Sequence, residues 1–159
     1  MSISRQNFSV IIVSFKSDHV IHNCINSIDK QIEIIVVDNS KNVEFKKALE
    51  EKYKNVKCIL APKNLGMGAG NNLGIKNVKN DFAFILNPDV ILKENTIDEM
   101  ILALNKIETF GVISPISNNL EYPNYRLNKN FNQKFDPIEP FKVESVDGYA
   151  MLLNLKRLR

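Results

Sequence analysis

Residues Asp81–Leu92, D-F-A-F-I-L-N-P-D-V-I-L, contain a strand and a turn from which the rest of the chain can be organised. Phe82–Leu86 is a five-residue apolar run of aromatic and aliphatic side chains, which is typical of a buried parallel strand. Pro88 cannot donate to a sheet ladder, so strand pairing is expected to stop there. Asn87 and Asp89 are then left at the carboxyl end of the strand, where ligands bind in open α/β sheets.

Composition and charge exclude several classes of protein. The 159 residues are expected to form one domain, 1–159, and a hydrophobic content of 44% is enough for a buried core. The net charge of +3, from 21 basic and 18 acidic residues, is too balanced to indicate a nucleic-acid-binding protein. No apolar run approaches membrane-spanning length, and the polar residues 5–7 before the first apolar run argue against a signal peptide.

The cysteines and the basic end of the chain bear on the compartment. Cys24 and Cys58 lie in apolar patterns without a Cys-x-x-Cys pair, so neither a disulfide framework nor a zinc site is predicted. Free buried thiols fit a reducing cytosol, and we expect a cytoplasmic protein. The basic residues 156–159 are expected to be solvated, and the alternative is peripheral contact with the inner face of an anionic membrane.

Apolar runs and helical periodicities alternate along the first 115 residues. The predicted strands are Phe8–Phe15, Glu33–Asp38, Val56–Leu60, Phe82–Leu86 and Gly111–Ser114, and the predicted helices cover 17–30, Phe45–Tyr53, Leu73–Asn80 and Glu94–Glu108. This alternation predicts an α/β fold with a mostly parallel sheet and helices on both faces. Ser117–Pro140 breaks the rhythm and is expected to be a functional or mobile loop. A final strand, Phe141–Val146, and a buried segment, Tyr149–Leu155, follow it.

Polar side chains follow three of the predicted strands. Ser14 follows the first strand, Asp38 the second, and the Asn87–Asp89 turn the fourth. Because right-handed crossovers place all parallel strand ends at one edge, we expect these groups to gather there. Each residue alone is better explained as a turn former or helix cap, but their combination predicts a binding site.

Several longer pieces occur together in a fixed order. They are V-I-I-V-S-F-K-S, E-I-I-V-V-D-N-S, N-L-G-M-G-A-G-N-N-L-G-I, F-I-L-N-P-D-V, G-V-I-S-P and V-D-G-Y-A-M-L-L. This combination resembles glycosyltransferase family 2, the inverting GT-A type, and most of all its rhamnosyltransferase-like branch. The resemblance covers nearly the whole chain. It implies a GT-A fold, a nucleotide-diphosphate sugar as donor and a divalent metal ion.

The resemblance also implies roles for individual positions. The positions that match the family's nucleotide-contacting loops are Ser14, Phe15, Asn64, Gly66 and Asn71. Asp38 matches the carboxylate that hydrogen-bonds the base. Asn87-Pro88-Asp89 occupies the place of the family's Asp-x-Asp motif, where Asp89 would bind Mg²⁺ or Mn²⁺ and Asn87 would contact ribose or diphosphate. Such hard cations prefer carboxylate oxygen and neutralise charge on a leaving diphosphate.

The glycines of the 64–72 stretch have a competing interpretation. Gly66-x-Gly68-x-Gly70 is similar to the dinucleotide-binding pattern G-x-G-x-x-G. The spacing differs, and the stretch follows the third strand instead of the first, so a Rossmann dehydrogenase is disfavoured. We expect these glycines to let the backbone approach a ligand or a neighbouring helix.

The general base of an inverting transfer is not evident in the sequence. In the family it is an acidic residue downstream of the segment that V-D-G-Y-A-M-L-L resembles, and Asp147 is a weak candidate near the acceptor side. We therefore expect a donor-binding domain that lacks most of the acceptor-binding part. The function implied is transfer of a sugar to a saccharide or lipid-linked acceptor in cell-surface polysaccharide or glycolipid synthesis, with a thymidine-diphosphate deoxysugar such as rhamnose favoured. The alternative is a catalytically impaired nucleotide-sugar-binding module that forms a homodimer through an exposed sheet edge or needs a partner chain.

Overall fold

The computed structural model describes residues 3–107, 109–117, 119, 121–128 and 139–158. Within them the strands are β1 (Phe8–Ser14), β2 (Glu33–Asp38), β3 (Val56–Leu60), β4 (Phe82–Leu86), β5 (Val112–Ile113), β6 (Tyr125–Arg126), β7 (Ser145–Val146) and β8 (Ala150–Asn154). The helices are α1 (Asp18–Asn26), α2 (Val43–Lys52), α3 (Gly66–Ile75), α4 (Thr96–Lys106) and α5 (Leu155–Leu158).

One mixed sheet forms the centre of the fold, with strand order β3-β2-β1-β4-β8-β5. The first four strands pair in parallel, as the β-α alternation predicts. β8 pairs antiparallel with β4 on one side and with β5 on the other. The α/β fold with a mostly parallel sheet is therefore confirmed, and the insertion of β8 is a feature that the sequence pattern did not predict.

Apolar side chains cover both faces of this sheet. On one face the alternate residues Val10 and Ile12 join a buried cluster with side chains of α1, α2 and α4. On the other face Ile11 and Val37 join a second cluster, against which Leu73 of α3 packs. Because both faces are covered, strands β1, β2 and β4 are almost continuously apolar, which is the pattern of buried parallel strands.

The third helix begins earlier than predicted. The glycine-rich stretch 64–72 was predicted to be a loop before a helix at Leu73–Asn80, but α3 already starts at Gly66. The φ of Gly66, +72°, is the left-handed conformation that glycine adopts without strain. A Cβ added to Gly74 would lie 2.5 Å from Ile11 Cγ2, and one added to Gly70 would lie 2.9 Å from Val13 Cγ1. Packing of the helix backbone directly on β1 therefore outweighs the low helix propensity of glycine.

The last third of the described chain also differs from the prediction. Of the predicted strand Phe141–Val146, Ser145–Val146 alone is a strand, and it pairs with β6 in a separate two-stranded sheet. β6 itself lies inside the segment predicted to be a loop, 117–140. Residues 118, 120 and 129–138 of that loop lie outside the described residues, so the prediction for them stays untested.

Candidate functional site

The strand register brings the predicted polar groups to one edge of the sheet. Ser14 is level with Asp38 in the β1–β2 pairing. On its other side β1 pairs with β4 as far as Ile12 and Leu86, so Ser14 lies level with the turn that follows β4. The ends of three adjacent strands therefore meet, with Ser14 in the middle.

Two further segments reach the same edge. The antiparallel strand β8 starts here, because Ala150 pairs with Leu86, and the carbonyl of Tyr149 accepts a hydrogen bond of 2.9 Å from Asn87 N–H. The side chain of Met67, in the first turn of α3, reaches Gly148: a Cβ on that glycine would lie 3.4 Å from Met67 Cε. The start of α3 and the turn at residues 148–149 are therefore in contact next to the strand ends.

Ser14 carries a buried hydroxyl group without a partner. Its side chain is 1% exposed, and Ser14 Oγ makes no hydrogen bond to any described residue. A buried polar atom left unpaired is costly, and such atoms in folded proteins are usually satisfied by a ligand, an ion or water. The adjacent Phe15 is half exposed, so it presents an aromatic surface at the same edge.

Asp38 is fully buried, and its carboxylate is bonded within its own turn. Asp38 Oδ1 accepts hydrogen bonds from Ser40 N–H at 3.0 Å and from the Ser40 hydroxyl at 2.7 Å. Asp38 Oδ2 accepts one from Asn42 N–H at 2.7 Å. A carboxylate has about four acceptor positions, so most of its capacity is used to shape the turn into α2. Base recognition by Asp38 stays a prediction.

Asn39 fastens the start of α3 to the end of β2. Its Nδ2 donates to the carbonyl of Gly66 at 3.2 Å, and its Oδ1 accepts from Leu65 N–H at 3.3 Å. Asn64 Oδ1 in turn accepts from Gly66 N–H at 3.0 Å, and the Asn64 side chain is exposed. The sequence Asn39-Ser40-Lys41-Asn42 is typical of a turn and by itself predicts no further role for Asn39. Its position directly after a predicted strand, at the edge where the other polar residues gather, is the signal that could have identified it.

Asn71 is the second buried polar group that lacks a partner for one of its atoms. It lies on α3, is 6% exposed, and its Oδ1 makes no hydrogen bond to any described residue. The neighbouring Gly70 packs on Val13, one residue before Ser14. Ser14 and Asn71 were both predicted to line the nucleotide site, and the side chain of each has an oxygen that makes no hydrogen bond to any described residue.

The Asn87–Asp89 turn places a carboxylate in solvent. Val90 N–H donates to the carbonyl of Asn87 at 3.2 Å, which closes the turn, and the Asp89 side chain is exposed without a hydrogen bond or ion pair to any described residue. Within the described parts of the chain no group of three or more His, Cys, Asp or Glu residues could hold a metal. Mg²⁺ and Mn²⁺ need no such cage when one carboxylate and substrate phosphates share the ligation. Asp89 fits that mode of binding.

Asp147 precedes β8 and lies two residues before Tyr149, whose carbonyl accepts the hydrogen bond from Asn87 N–H. It is exposed, and its backbone N–H donates to the carbonyl of Asn124 at 2.9 Å. Asn124 is 2% exposed; its Nδ2 donates to Ser114 Oγ at 3.0 Å and its Oδ1 accepts from Ser117 N–H at 2.8 Å. This buried asparagine therefore ties the loop after β5 to the segment that carries Asp147. No motif in the sequence singles out Asn124.

Two buried thiols lie behind the site. Burial, and secondarily the nearby Asp89, raises the pKa of Cys24 to about 12. Burial, and secondarily the nearby Asp38, raises the pKa of Cys58 to about 12. Both thiols are therefore neutral, so the charge at this edge resides on the carboxylates.

The sequence profile of the family described as glycosyl transferase family 2 matches residues 9–156. The chain belongs to this family. The curated relatives include the low-salt glycan biosynthesis hexosyltransferase Agl10 of Haloferax volcanii, which is 29% identical over 113 residues, covering 69% of this chain and 36% of that protein. An uncharacterized glycosyltransferase of Rickettsia prowazekii is 40% identical over 85 residues, covering 53% of this chain and 26% of that protein. The family 2 chain thus spans well under half the length of these relatives.

Solved structures support the fold of the family 2 chain. The mannosyltransferase PcManGT from Pyrobaculum calidifontis, in complex with GDP-Man and Mn²⁺, superposes with a TM-score of 0.70 at 12% identity, over 96% of this chain and 46% of that chain. S. aureus TarS 1–349 in complex with UDP-GlcNAc superposes with a TM-score of 0.59 at 21% identity, over 77% of this chain and 38% of that chain. At these identities the likeness shows the fold alone.

A cleft lies apart from the carboxyl-edge residues. It has a volume of about 600 Å³ and lies between α4, β5 and the segment 139–143, with Met100, Tyr125 and Phe141 among its lining residues. None of the predicted site residues lines it. The carboxyl edge is the better candidate, because Ser14 Oγ, a buried atom with no partner among the described residues, lies there with Asp38 and the Asn87–Asp89 turn. Among the described helices, none is long and apolar enough to cross a membrane.

Proposed function

We propose that the chain binds a nucleotide-diphosphate sugar with Mg²⁺ or Mn²⁺ at the carboxyl edge and serves as the donor-binding domain of a glycosyltransferase. The observation that carries the proposal is the convergence of Asp38, the unpaired Ser14 hydroxyl and the exposed Asp89 on three adjacent strand ends. Family membership supports it, and so do the GDP-Man and UDP-GlcNAc complexes of the structural neighbours.

Different residues of the site would contact different parts of the donor. Ser14 Oγ and Asn71 Oδ1 supply hydrogen-bonding atoms that the folded chain leaves unused, and Phe15 offers an aromatic surface to a base. Asn39 holds the start of α3 against the strand ends and thereby fixes the wall of the nucleotide site. Asn87 would hydrogen-bond ribose or diphosphate, and Asp89 would hold the cation. When bound, the cation neutralises charge on the departing diphosphate.

The proposed reaction is an in-line displacement at the anomeric carbon with inversion. The acceptor oxygen forms the new glycosidic bond, the bond to the diphosphate oxygen breaks, and the acceptor proton passes to a general base. Asp147 lies two residues before the tyrosine whose carbonyl binds Asn87 N–H, so it is our candidate for that base. The acceptor would be a saccharide or lipid-linked sugar, as in cell-surface polysaccharide or glycolipid synthesis. The glycan biosynthesis named for the Haloferax volcanii relative supports this class.

The compartment and the donor are proposed on the same basis. Cys24 and Cys58 are both free and buried, which supports a cytoplasmic location, where thiols stay reduced. The rhamnosyltransferase-like motifs favour a thymidine-diphosphate deoxysugar as donor.

Calorimetric titration with nucleoside diphosphates, with and without Mn²⁺, tests the donor site. We expect Mn²⁺ to strengthen binding to the wild-type chain and Asp89→Ala to abolish that enhancement. Asp81→Ala is the matched control, because Asp81 precedes the same strand at the opposite edge of the sheet, where it pairs with Lys156 at 2.8 Å. Equal effects of the two substitutions would overturn the assignment of Asp89.

Turnover separates a transferase from a module that merely binds the donor. Incubation with a panel of nucleotide sugars and saccharide acceptors should release nucleoside diphosphate, and the anomeric configuration of the product, read by NMR, tests inversion. Donor binding without turnover of any pair would favour the catalytically impaired module.

A further inference from the structure

Two side chains at the C-terminal end of α1 hydrogen-bond the two ends of the segment 87–92, which carries Asp89. The Cys24 thiol donates to the carbonyl of Asn87, with Sγ 3.6 Å from the oxygen, and Cys24 is completely buried. Ser27 Oγ accepts a hydrogen bond of 3.0 Å from Leu92 N–H. The segment 87–92 is thus hydrogen-bonded at its first and last residues by Cys24 of α1 and by Ser27, the residue that caps the C-terminal end of α1.

The sequence of α1 explains why these two side chains act together. Cys24 and Ser27 are three residues apart, so they lie on the same face of the helix. The Ser27 hydroxyl also donates to the carbonyl of Cys24 at 2.7 Å, which orients the hydroxyl with its lone pairs available to Leu92 N–H. Leu92 is 8% exposed and belongs to the same core cluster as Cys24. Loss of Ser27 Oγ would leave a buried N–H without this acceptor.

Between the two anchors the side chains alternate between solvent and core. Asp89 is exposed and Ile91 is 64% exposed, whereas Val90 packs on the core cluster to which Leu92 belongs. The exposed Asp89 therefore has packed neighbours in the chain but little packing of its own. The side-chain hydrogen bonds of Cys24 and Ser27, the 3.2 Å turn bond from Val90 N–H and the Tyr149 contact add to the restraint from Val90 and Leu92.

We propose that Cys24 and Ser27 are positioning residues for the cation-binding turn, acting through the backbone of Asn87 and Leu92. This inference rests on the proposed function. A single carboxylate has few means of compensating for a displaced backbone, since binding of a small cation demands near-ideal geometry. Groups that orient a metal ligand typically change metal affinity by about 10–100-fold when removed.

The test compares Ser27→Ala and Cys24→Ala with Cys58→Ala in the full chain. Cys58 is an equally buried thiol of the same core cluster, but it lies on β3, away from the turn. We expect Ser27→Ala to raise the Mn²⁺ concentration for half-maximal nucleoside diphosphate binding by about 10-fold. Cys24→Ala should act in the same direction and Cys58→Ala should leave it near wild type. Nucleotide binding without cation should change little, and Ser27→Thr, which keeps the hydroxyl, should restore the wild-type value.

Amide hydrogen exchange of the ligand-free protein keeps the two proposals distinguishable. We expect the Leu92 amide to exchange faster in Ser27→Ala than in the wild type or in Cys58→Ala. Equal half-saturation values for Ser27→Ala and Cys58→Ala, or unchanged exchange at Leu92, would overturn the positioning role. Absence of any cation effect in the wild-type protein would overturn the proposed function and with it the cation part of this inference, while the exchange result would still decide whether α1 anchors the segment.

Discussion

The packing of α3 on β1 gives a sharp prediction for Gly74→Ala. A Cβ at this position would lie 2.5 Å from Cγ2 of Ile11, a completely buried residue on a central strand, and real Cβ atoms essentially never approach so closely. Overpacking of this kind typically costs about 1–3 kcal/mol. Replacing glycine by alanine inside a helix returns about 1 kcal/mol of that through propensity. Because Ile11 is completely buried on a central strand, we expect an overpacking cost in the upper part of that range, about 2–3 kcal/mol, which leaves a net loss of about 1–2 kcal/mol in the free energy of unfolding.

Gly68→Ala is the matched control on the same helix. Gly68 is exposed, and a Cβ there would meet nothing within 4 Å, so the propensity gain is unopposed. In a chain of this size about 1 kcal/mol corresponds to about 2–4 °C in Tm. Thermal unfolding followed by circular dichroism should therefore show Gly74→Ala lower by about 2–8 °C and Gly68→Ala equal to wild type or slightly higher. A Gly74→Ala variant at least as stable as wild type would refute the claim that α3 rests directly on β1.

Three further perturbations test the site and its supports. Asp38→Ala should lower the free energy of unfolding by about 2 kcal/mol, because Ser40 and Asn42 lose their hydrogen bonds to a carboxylate; a chemical denaturation curve unchanged from wild type would contradict this account of the turn. The hydrogen bond from Lys46, and secondarily that from Cys58 N–H, lowers the pKa of Glu50 below its ordinary 4.5. The ionised Glu50 carboxylate therefore stabilises the fold above pH 4.5, and this stabilisation is lost as the pH falls through the folded-state pKa. Glu50→Gln should therefore lose less Tm than wild type on acidification from about pH 5 to about pH 3, and parallel losses would count against the interaction. Iodoacetamide at about pH 8 should alkylate neither buried thiol in the folded protein and both after denaturation, as mass spectrometry would record.

Much of the fold could be predicted from the sequence because its strands are buried on both faces. The runs Glu33–Asp38, Val56–Leu60 and Phe82–Leu86 coincide with β2, β3 and β4 as observed. Each is a continuous or nearly continuous apolar run with a polar or proline stop, and such stretches have few alternative structures. The parallel arrangement follows from the intervening helices, because a helical crossover returns the chain in the same direction.

The start of α3 and the place of β8 could not be predicted, and the reasons differ. Gly66 and the following glycines have low helix propensity, and the burial of Gly70 and Gly74 depends on contacts with Val13 and Ile11 of β1, which are distant in sequence. β8 is the last long strand in the chain, yet it inserts between β4 and β5. Strand order within a sheet depends on long-range pairing, which an apolar run does not specify. The consequence for the site is direct, since the start of β8 brings Tyr149, two residues after Asp147, into hydrogen-bonding contact with Asn87.

The site residues were predictable as positions but not as roles. Asp38, Ser14 and Asp89 were expected at one edge, and the strand register places them there. Their environments differ in ways that no local pattern encodes. The oxygens of Asp38 are occupied by its own turn, the hydroxyl of Ser14 has no partner among the described residues, and Asp89 projects into solvent. Burial and hydrogen bonding, which depend on tertiary contacts, separate a structural carboxylate from one that is available to a ligand.

These environments have a consequence for how strongly the binding of the cation and the binding of the nucleotide would depend on each other. With Asp38 engaged internally and Asn87 uncharged, the proposed cation site offers Asp89 as its charged protein ligand. One exposed carboxylate binds Mg²⁺ or Mn²⁺ weakly in water, and the remaining ligands must come from the diphosphate and from water. Cation and nucleotide should therefore bind with positive coupling, each raising the affinity for the other by the same factor. A chain with this arrangement gains metal affinity only when the donor is present, which makes the anchoring of the turn by α1 more important, because the protein side of the site has a single carboxylate to place correctly.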